Sequence, residues 1–320
     1  MSWRGEIPAD CAGLRLDRAL ARMFPAHSRS RLQVWLREGH IRVDGLVPEA
    51  RAKVQGGERL EMDAAPAAPE ELAARAEDIA LAVVFEDEAL LVVDKPAGLV
   101  VHPGSGNWSG TLMNALLHHA PELAAVPRAG IVHRLDKDTS GLLVVAKTLA
   151  AQTNLIRQLQ ARSVARHYLA LVHGALARGG EIDAPIGRHP VQRTKMAVVG
   201  RGRAALTRYE VREKLAGVTL VECRLATGRT HQIRVHMAHV GHPLVGDPVY
   251  GPRRAADPLL AGFKRQALHA FRLGLIHPAS GEPMQWFAPL PQDFAELLTA
   301  LGSTTVREDK EETNDARPGN

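Results

Sequence analysis

The amino-acid sequence predicts an α+β fold, in which a small basic unit precedes a larger domain built around a mixed, largely antiparallel β-sheet. Strand-like apolar runs dominate the chain after about residue 79, and only isolated helices interrupt them, which is typical of α+β domains. The regular strand–helix alternation of a doubly wound fold is missing. No Gly-x-Gly-x-x-Gly follows a strand and no Walker loop occurs, so we expect no nucleotide cofactor.

Length and charge restrict the class of protein further. A chain of 320 residues can form one large domain and one small domain. Its net charge of +5 favours a polyanionic partner, with nucleic acid ahead of acidic lipid. The alternative from charge alone is a basic protein that binds no polyanion.

The cysteines and the apolar segments argue against a secreted or membrane-bound protein. Cys11 and Cys223 are far apart and belong to no Cys-x-x-Cys pair, which argues against a disulfide framework and a cysteine zinc site. The N-terminus has no apolar signal core, and no segment reaches the length of a membrane span. We therefore expect a cytoplasmic protein without a membrane partner, and we take a monomer as the default.

The first unit, residues 1–63, is predicted to be helical with one hairpin. Asp17 to Phe24 has the pattern of a helix, and Ser28 is a suitable N-cap for a second helix from Arg29 to Arg37. Ile41 to Val47 alternates around an Asp-Gly pair, which signals a hairpin.

Arginines cluster in this unit. Between residues 16 and 42 the sequence has six arginines against Asp17 and Glu38. A small helical unit with clustered arginines suits binding of an RNA backbone, and the candidate contacts are Arg29, Arg31 and Arg37. The alternative is a basic face that contacts only solvent.

Two segments differ in composition from the rest of the chain. Residues 64–78 are rich in Ala, Pro and Glu, so we predict a linker that its prolines stiffen. Residues 303–320 are polar, charged and almost free of large apolar side chains, which predicts a disordered tail. The larger domain then occupies residues 79–302.

Several segments of the larger domain have the apolar patterns of regular elements. The predicted strands include residues 80–85, 89–93, 142–146, 168–172 and 219–225. The predicted helices are residues 112–119, 150–160 and 231–240.

The part of the sequence richest in chemically active groups is residues 133–143, HRLDKDTSGLL. It lies between two apolar stretches, which predicts a strand, a tight polar turn and a second strand. A carboxylate on such a turn is well placed for chemistry. From composition alone Asp136 and Asp138 are equal candidates, and each could instead be a turn or capping residue. His133 and Arg134 could reach phosphates or bases.

Two further segments carry candidate residues. Tyr168 begins a strand, where a tyrosine is more often a packing residue, although an exposed tyrosine near a carboxylate would be a stacking platform for a base. Residues 226–239 contain Arg229 and, one turn into a predicted helix, Arg234, which could point at a neighbouring carboxylate. Considered alone, Arg234 fits a surface salt bridge equally well.

The same segment raises a metal-dependent hydrolase as a rival. His231, His236, His239 and His242 form a histidine-rich stretch, but the helical HxxxH or HExxH pair is absent and no acidic residue lies among them. The H-x-E and P-C-x-x-C pieces of zinc-dependent base deaminases are also missing. We therefore expect no metal site.

These runs resemble the motifs of the bacterial pseudouridine synthases that modify large-subunit ribosomal RNA. The resemblance extends over almost everything from Leu16 to Pro289. The matching runs in the larger domain, in the family's order, are residues 94–98, 133–143, 165–172 and 226–247. The resemblance implies that Asp136 is the catalytic residue, that Tyr168 stacks on the target base and that Arg234 pairs with Asp136.

The first unit resembles the S4-type RNA-binding domain, which commonly precedes the catalytic domain in that family. The similarity lies in residues 15–20, 28–32 and 43–45. It implies a small S4-like α/β domain, and it favours RNA contacts by the arginines over a face that contacts only solvent.

The resemblance implies that specific uridines of large-subunit ribosomal RNA are isomerised to pseudouridine without a cofactor. The nucleotide must be flipped out of the stack before the bond from N1 is broken and the base is rejoined through C5. Asp136 would act as nucleophile or base, and Arg134 would fill the space that the base leaves. His133, Arg134 and Arg229 would contact the RNA. The alternative is a non-catalytic RNA-binding or ribosome-assembly protein that uses the same surfaces.

Overall fold

The computed structural model describes residues 3–25, 29–63, 75–104, 107–252 and 257–305, apart from the side chains of residues 30 and 31. The chain divides into two units, residues 1–72 and 73–320. The domain boundaries expected from the sequence stay predictions, since residues 64–74 of the linker and 306–320 of the tail lie outside the described residues. None of the helices within the described ranges is long and apolar enough to cross a membrane.

The first unit combines two helices with a three-stranded antiparallel sheet. Its elements in chain order are β1 (Trp3–Glu6), α1 (Leu16–Met23), α2 (Arg29–Arg37), β2 (Ile41–Val43) and β3 (Arg59–Met62). The strands lie in the order β1–β3–β2. The helices bury apolar side chains such as Leu20 and Leu36 in a common core with the sheet. Both predicted helices are confirmed, whereas the predicted N-cap Ser28 lies outside the described residues.

The predicted Asp-Gly turn forms, but it does not join two long paired strands. Asp44 and Gly45 have positive φ angles of 51° and 79°, and the Val43 N–H donates to the Leu46 carbonyl over 2.9 Å. β2 pairs with β3, not with the segment directly after the turn. Pro48 has no N–H to donate and ends the expected strand, so the chain continues as a loop to β3.

A buried carboxylate joins the two helices of this unit. The Asp17 side chain is 0% exposed, and it accepts hydrogen bonds from Arg15 (2.9 Å), Arg29 (2.6 Å) and Gln33 (2.6 Å). Although burial acts in the opposite direction, these hydrogen bonds lower the pKa of Asp17 to about 2. Asp17 is therefore an internal acceptor and not a surface charge.

Replacing Asp17 with Asn should destabilise the first unit by about 2 kcal/mol at neutral pH, because its pKa is lowered from 3.8 to about 2 on folding. Since the folded-state pKa is the lower one, the carboxylate stabilises the fold above about pH 4 and loses this effect as the pH falls towards 2. Hydrogen exchange of the α1 amides in the full-length protein would measure the difference.

Asp10→Asn is the matched control, because Asp10 pairs with Arg22 in the same unit while both side chains are more than half exposed. Exposed pairs of this kind contribute less than about 1 kcal/mol. Equal loss of protection in the two variants would contradict a special role for Asp17. So would a difference between wild type and Asp17→Asn that stays undiminished at about pH 2.

The second unit is built on a nine-stranded sheet. In chain order, the strands described in this unit, of which β9 and β10 lie outside the large sheet, are β4 (Ala82–Glu86), β5 (Leu90–Lys95), β6 (Ser140–Ala146), β7 (Ala165–His173), β8 (Gly180–Asp183), β9 (Ile186–Arg188), β10 (Met196–Val198), β11 (Leu206–Leu215), β12 (Val218–Leu225), β13 (Leu268–Ile276) and β14 (Pro283–Phe287). Its helices are α3 (Leu112–His119), α4 (Leu149–Gln160), α5 (Gln232–His239), α6 (Pro258–Gly262) and α7 (Gln292–Ala300).

The large sheet is mixed but mostly antiparallel. Its strands lie in the order β4–β5–β6–β13–β7–β12–β11–β8, with β14 added to β13, while β9 and β10 form a separate hairpin. β6 and β13 are parallel, and the other strand pairs of the described residues are antiparallel. The predicted α+β class with a mixed, largely antiparallel sheet is therefore confirmed.

Alternating side chains of the sheet build separate cores on its two faces. On one face Leu91 and Leu143 pack in a core that includes side chains of α3 and α5. On the other face Leu90 and Leu142 share a core with α4. Tyr168 and the neighbour of Asp136, Leu135, belong to the first of these cores, so that face of the sheet carries the candidate site.

Candidate active site

Asp136 lies in an irregular turn that leads into β6, and the strand predicted before the turn is not formed. Ile131 makes only an isolated bridge to Val145. The His133 ring takes the place of a strand partner, because its Nε2 accepts the Val144 N–H over 3.1 Å. The Asp136 side chain is 14% exposed. Its carboxylate is therefore mostly buried, and the part that is open lines a pocket.

A buried lysine fixes this turn from inside. Lys95 is 1% exposed, and its Nζ donates to the carbonyl oxygens of Pro96 (2.7 Å), Leu99 (3.0 Å) and Lys137 (3.0 Å). Burial lowers the pKa of Lys95 to about 7, although neighbouring carboxylates oppose the effect. Because Lys137 directly follows Asp136, this contact holds the backbone that carries the carboxylate.

Arg234 joins Asp136 to a second carboxylate. Its Nη1 donates to Asp136 Oδ2 over 3.1 Å, while its Nε and Nη2 donate to Asp247 over 2.7 and 2.9 Å. The side chains of Arg234 and Asp247 are 5% and 0% exposed. Although burial opposes the effect, the two carboxylates raise the pKa of Arg234. One planar guanidinium therefore sets the direction of the Asp136 carboxylate.

Asp247 is held in turn by the backbone that follows it. Its Oδ1 accepts the N–H groups of Val249 (2.8 Å) and Tyr250 (3.0 Å). The Tyr250 ring centroid lies 5.2 Å from the guanidinium carbon of Arg234, which is a cation–π distance. The Tyr250 hydroxyl lies 2.9 Å from His231 Nδ1. Neither Asp247 nor Tyr250 was predicted as a site residue, and the contacts make both of them part of the support of Arg234.

Tyr168 forms one wall of a pocket that contains Asp136 and Arg234. Tyr168 is 5% exposed, and burial raises the pKa of its hydroxyl. Most of its side chain therefore packs in the core, and its remaining surface faces the pocket. Other residues that line the pocket include Arg134, Leu225, Arg229, His231, Ile233 and Leu268.

The predicted RNA contacts near the turn differ in accessibility. Arg134 is exposed and lines the pocket. Arg229 is half-buried at the same pocket, and its Nε donates to the Ala204 carbonyl over 3.0 Å. His133 is different, because its Nδ1 is buried without a partner, its Nε2 binds the Val144 N–H, and burial lowers its pKa to about 3. This geometry favours a structural role for His133 over the RNA contact that we expected.

The predicted RNA contacts of the first unit also have different surroundings. Arg29 is bound to Asp17, so its charge is partly neutralised inside the unit. Arg37 is exposed, and its Nε donates to the Gln33 carbonyl over 3.4 Å. The Arg31 side chain lies outside the described residues. Of the two that are described, Arg37 is the freer candidate for a phosphate contact.

Histidines within residues 231–242 form separate hydrogen bonds with different parts of the unit. His236 bonds to Thr207 Oγ1 and to the Ala184 carbonyl, both over 2.9 Å. His242 bonds to the His173 carbonyl over 2.8 Å. Within the described ranges, no group of three or more His, Cys, Asp and Glu side chains is arranged to hold a metal ion.

Comparison with known proteins identifies the class to which this fold and site belong. Residues 89–239 match the RNA pseudouridylate synthase family, and residues 14–60 match the S4 domain. With the relatives described next, these matches show that the chain belongs to the RNA pseudouridylate synthase family. The membership that the sequence motifs implied is thereby confirmed.

The similar proteins carry a more specific name. The chain is 57% identical to the "Ribosomal large subunit pseudouridine synthase D" of Nitrosomonas europaea, over 92% of this chain and 86% of that protein. It is 55% identical to the protein of the same name from Pseudomonas aeruginosa, over 96% of each. Among solved structures, Human RNA Pseudouridylate Synthase Domain Containing 1 is 29% identical with a TM-score of 0.54, over 72% of this chain and 97% of that one.

Proposed function

We propose that this chain isomerises specific uridines of large-subunit ribosomal RNA to pseudouridine, with Asp136 as its catalytic residue. The observation that supports this most strongly is the Asp136 carboxylate itself, which Arg234 directs in a pocket beside Tyr168. The substrate is inferred from the relatives, which are called ribosomal large subunit pseudouridine synthases.

The reaction exchanges one bond between base and ribose for another. The glycosidic bond from N1 to C1′ breaks, the uracil turns, and C5 forms a new bond to C1′. The hydrogen at C5 leaves as a proton and N1 takes up a proton, so the isomerisation needs no oxidant or reductant. A carboxylate can assist as a nucleophile or as a general base, and both roles stay open for Asp136.

The other side chains of the pocket would position the nucleotide. Flipping a stacked nucleotide costs a few kcal/mol, which contacts in the pocket partly offset. Tyr168 would stack on the flipped uracil, and Arg134, which is exposed at the pocket, would fill the vacated space. Arg234 would keep the Asp136 carboxylate aimed at the reacting atoms.

The remaining assignments follow from this substrate. Exposed arginines of the first unit, such as Arg37, would bind the RNA backbone without reading its sequence. We keep a monomer as the default oligomeric state. Acting on ribosomal RNA would put the enzyme in the cytoplasm.

Release of tritium from large-subunit ribosomal RNA labelled at C5 of uridine tests the proposal, because forming the new C–C bond must expel that hydrogen. We expect release by the wild type, unchanged by EDTA. Loss of release in EDTA would favour the metal-dependent alternative. No release from free RNA or from immature large subunits would favour a non-catalytic RNA-binding protein.

A further inference from the structure

A buried arginine beside the active-site pocket has no anionic partner in the part of the chain that the structure describes. Arg166 lies on β7 and is 7% exposed. Its Nη2 donates to the Leu225 carbonyl over 3.4 Å, and its Nε is buried without an acceptor. None of the ion pairs among the described residues involves Arg166, and burial lowers the pKa of its guanidinium. Buried charges are normally paired, so an unpaired guanidinium next to a substrate pocket indicates a ligand.

The neighbouring glycine leaves this guanidinium accessible from the surface. Gly228 is exposed, and a Cβ added to it would lie 2.8 Å from Arg166 Nη1. Among the described residues, and apart from the two neighbours of Gly228 in the sequence, the Arg166 guanidinium alone lies within 4 Å of that Cβ position. The absence of a side chain at Gly228 therefore lets an anion on this surface approach Nη1.

Two further arginines lie near the same turn, because Arg229 directly follows Gly228 and its Nε donates to the carbonyl of Ala204, the residue after Arg203. Burial, and then the positive charges of Arg203 and Arg162, lower the pKa of Arg229. Each of these two charges thus acts unfavourably on Arg229, and an anion bound to Arg229 would offset that repulsion. Arg166, which contacts the Cβ position of Gly228, is grouped with Arg229 and Arg203 as the Gly228 cluster.

Several other arginines of this unit bind a buried carboxylate. Arg212, Arg224 and Arg272 all bind the buried Glu222 on β12. Neighbouring residues of a strand point to opposite faces of the sheet, and the side chain of Cys223 belongs to the core beneath the active site. Glu222 and the arginines bound to it therefore lie on the face opposite the active site. Arg166 is two residues from Tyr168 on β7, so it lies on the face of the sheet that carries the pocket.

We infer that the Gly228 cluster binds a phosphodiester group of the substrate RNA next to the flipped nucleotide. This inference rests on the proposed function and adds a contact for its substrate. Arg229 and Leu225 line the pocket that contains Asp136, and Arg166 binds the Leu225 carbonyl, so the phosphate lies close to the reacting base. Guanidinium–phosphate hydrogen bonds are charge-assisted, and they position RNA without reading its sequence.

The test is the salt dependence of RNA affinity in the full-length protein carrying Asp136→Asn, which prevents turnover. Arg166→Gln should bind a fragment of large-subunit ribosomal RNA about tenfold more weakly and should reduce the slope of log affinity against log salt by about one. Gly228→Ala should have a similar effect, because its new Cβ displaces the Arg166 guanidinium. Arg203→Gln, at an exposed position, tests the cluster without disturbing the core.

Two controls separate the cluster from general effects. Gly262→Ala adds a Cβ where no atom lies within 4 Å, and Arg224→Gln removes an arginine from the opposite face. Both should keep the affinity and the salt slope of the parent. In an Arg166→Gln background, Gly228→Ala should cause no further loss, because both changes act on the same contact. Additive losses, or equal losses in the controls, would overturn the inference.

Tritium release by the wild type distinguishes failure of this inference from failure of the proposed function. If the wild type releases tritium but Arg166→Gln, Gly228→Ala and Arg203→Gln keep the parent's affinity and slope, the phosphate site is wrong and the synthase stands. If these variants lose affinity as expected but the wild type releases no tritium, the phosphate site stands and the proposed chemistry is wrong.

Discussion

The Asp136→Asn variant should lose tritium release by at least about 10⁴-fold, because asparagine can neither attack as a nucleophile nor accept a proton as a base. Its affinity for RNA should fall by less than about threefold, since one largely buried charge contributes little to backbone binding. Asparagine has nearly the same shape and can still accept a hydrogen bond from Arg234 Nη1, so the turn should keep its geometry. Release and affinity are measured on the same labelled RNA.

Asp138→Asn is the matched control for this prediction. Asp138 lies in the same turn, and its charge also acts on Lys95, but Arg234 binds Asp136 and not Asp138. We expect its release rate within about threefold of the wild type, as for a substitution away from the reacting atoms. Comparable losses in the two variants would mean that the turn and not the Asp136 carboxylate is required. Full activity of Asp136→Asn would remove Asp136 from the proposed mechanism.

The sequence was sufficient for elements that local contacts determine. α3 spans residues 112–119 as predicted, because Thr111 and Asn114 cap its first turn reciprocally and its apolar side chains recur at helical spacing. The order of the strands in the sheet could not be predicted from the sequence patterns. β6 and β13 are neighbours, and Ser140 bonds to His269, although 129 residues separate the two side chains. Pairing over such a separation leaves no periodic signal.

The sequence likewise predicted only part of the active site. Composition could not distinguish Asp136 from Asp138, and the family resemblance made that choice. Lys95 and Asp247 were in the matching runs but received no role. Lys95 binds backbone carbonyls, which any residue provides, so its partners have no sequence signature. Asp247 meets Arg234 only because the chain after α5 folds back, and side-chain spacing does not reveal such a return.

Replacing Asp247 with Asn should lower kcat by about 100-fold while KM changes little. Asp247 binds two nitrogens of Arg234 and leaves the third for Asp136. Asparagine has one acceptor oxygen and no charge, so it cannot accept both hydrogen bonds that Arg234 donates to Asp247. The guanidinium would then turn towards Asp136 or lose its fixed orientation. Either change misdirects the catalytic carboxylate, but the surface that binds RNA is unaltered. Single-turnover tritium release at saturating RNA measures the effect.

Glu222→Gln is the matched control for loss of a buried, arginine-bound carboxylate. Glu222 is also 0% exposed and binds several arginines, but it lies on the face of the sheet opposite the pocket. Both variants should unfold more easily than the wild type, because each leaves buried cations without their partner. Of the two variants, only Asp247→Asn should have a lower kcat when kcat is calculated per folded molecule. Equal kcat in these two variants would reduce Asp247 to a stabilising residue.

Arg234→Lys separates orientation from charge at the same point. Lysine keeps the positive charge next to Asp136 and Asp247 but has one nitrogen, so it cannot hold both carboxylates in one plane. If a nearby positive charge were sufficient, both Arg234→Lys and Asp247→Asn would retain most of the activity. We expect a loss of kcat close to that of Asp247→Asn, because in both variants Asp136 loses the rigid group that directs it.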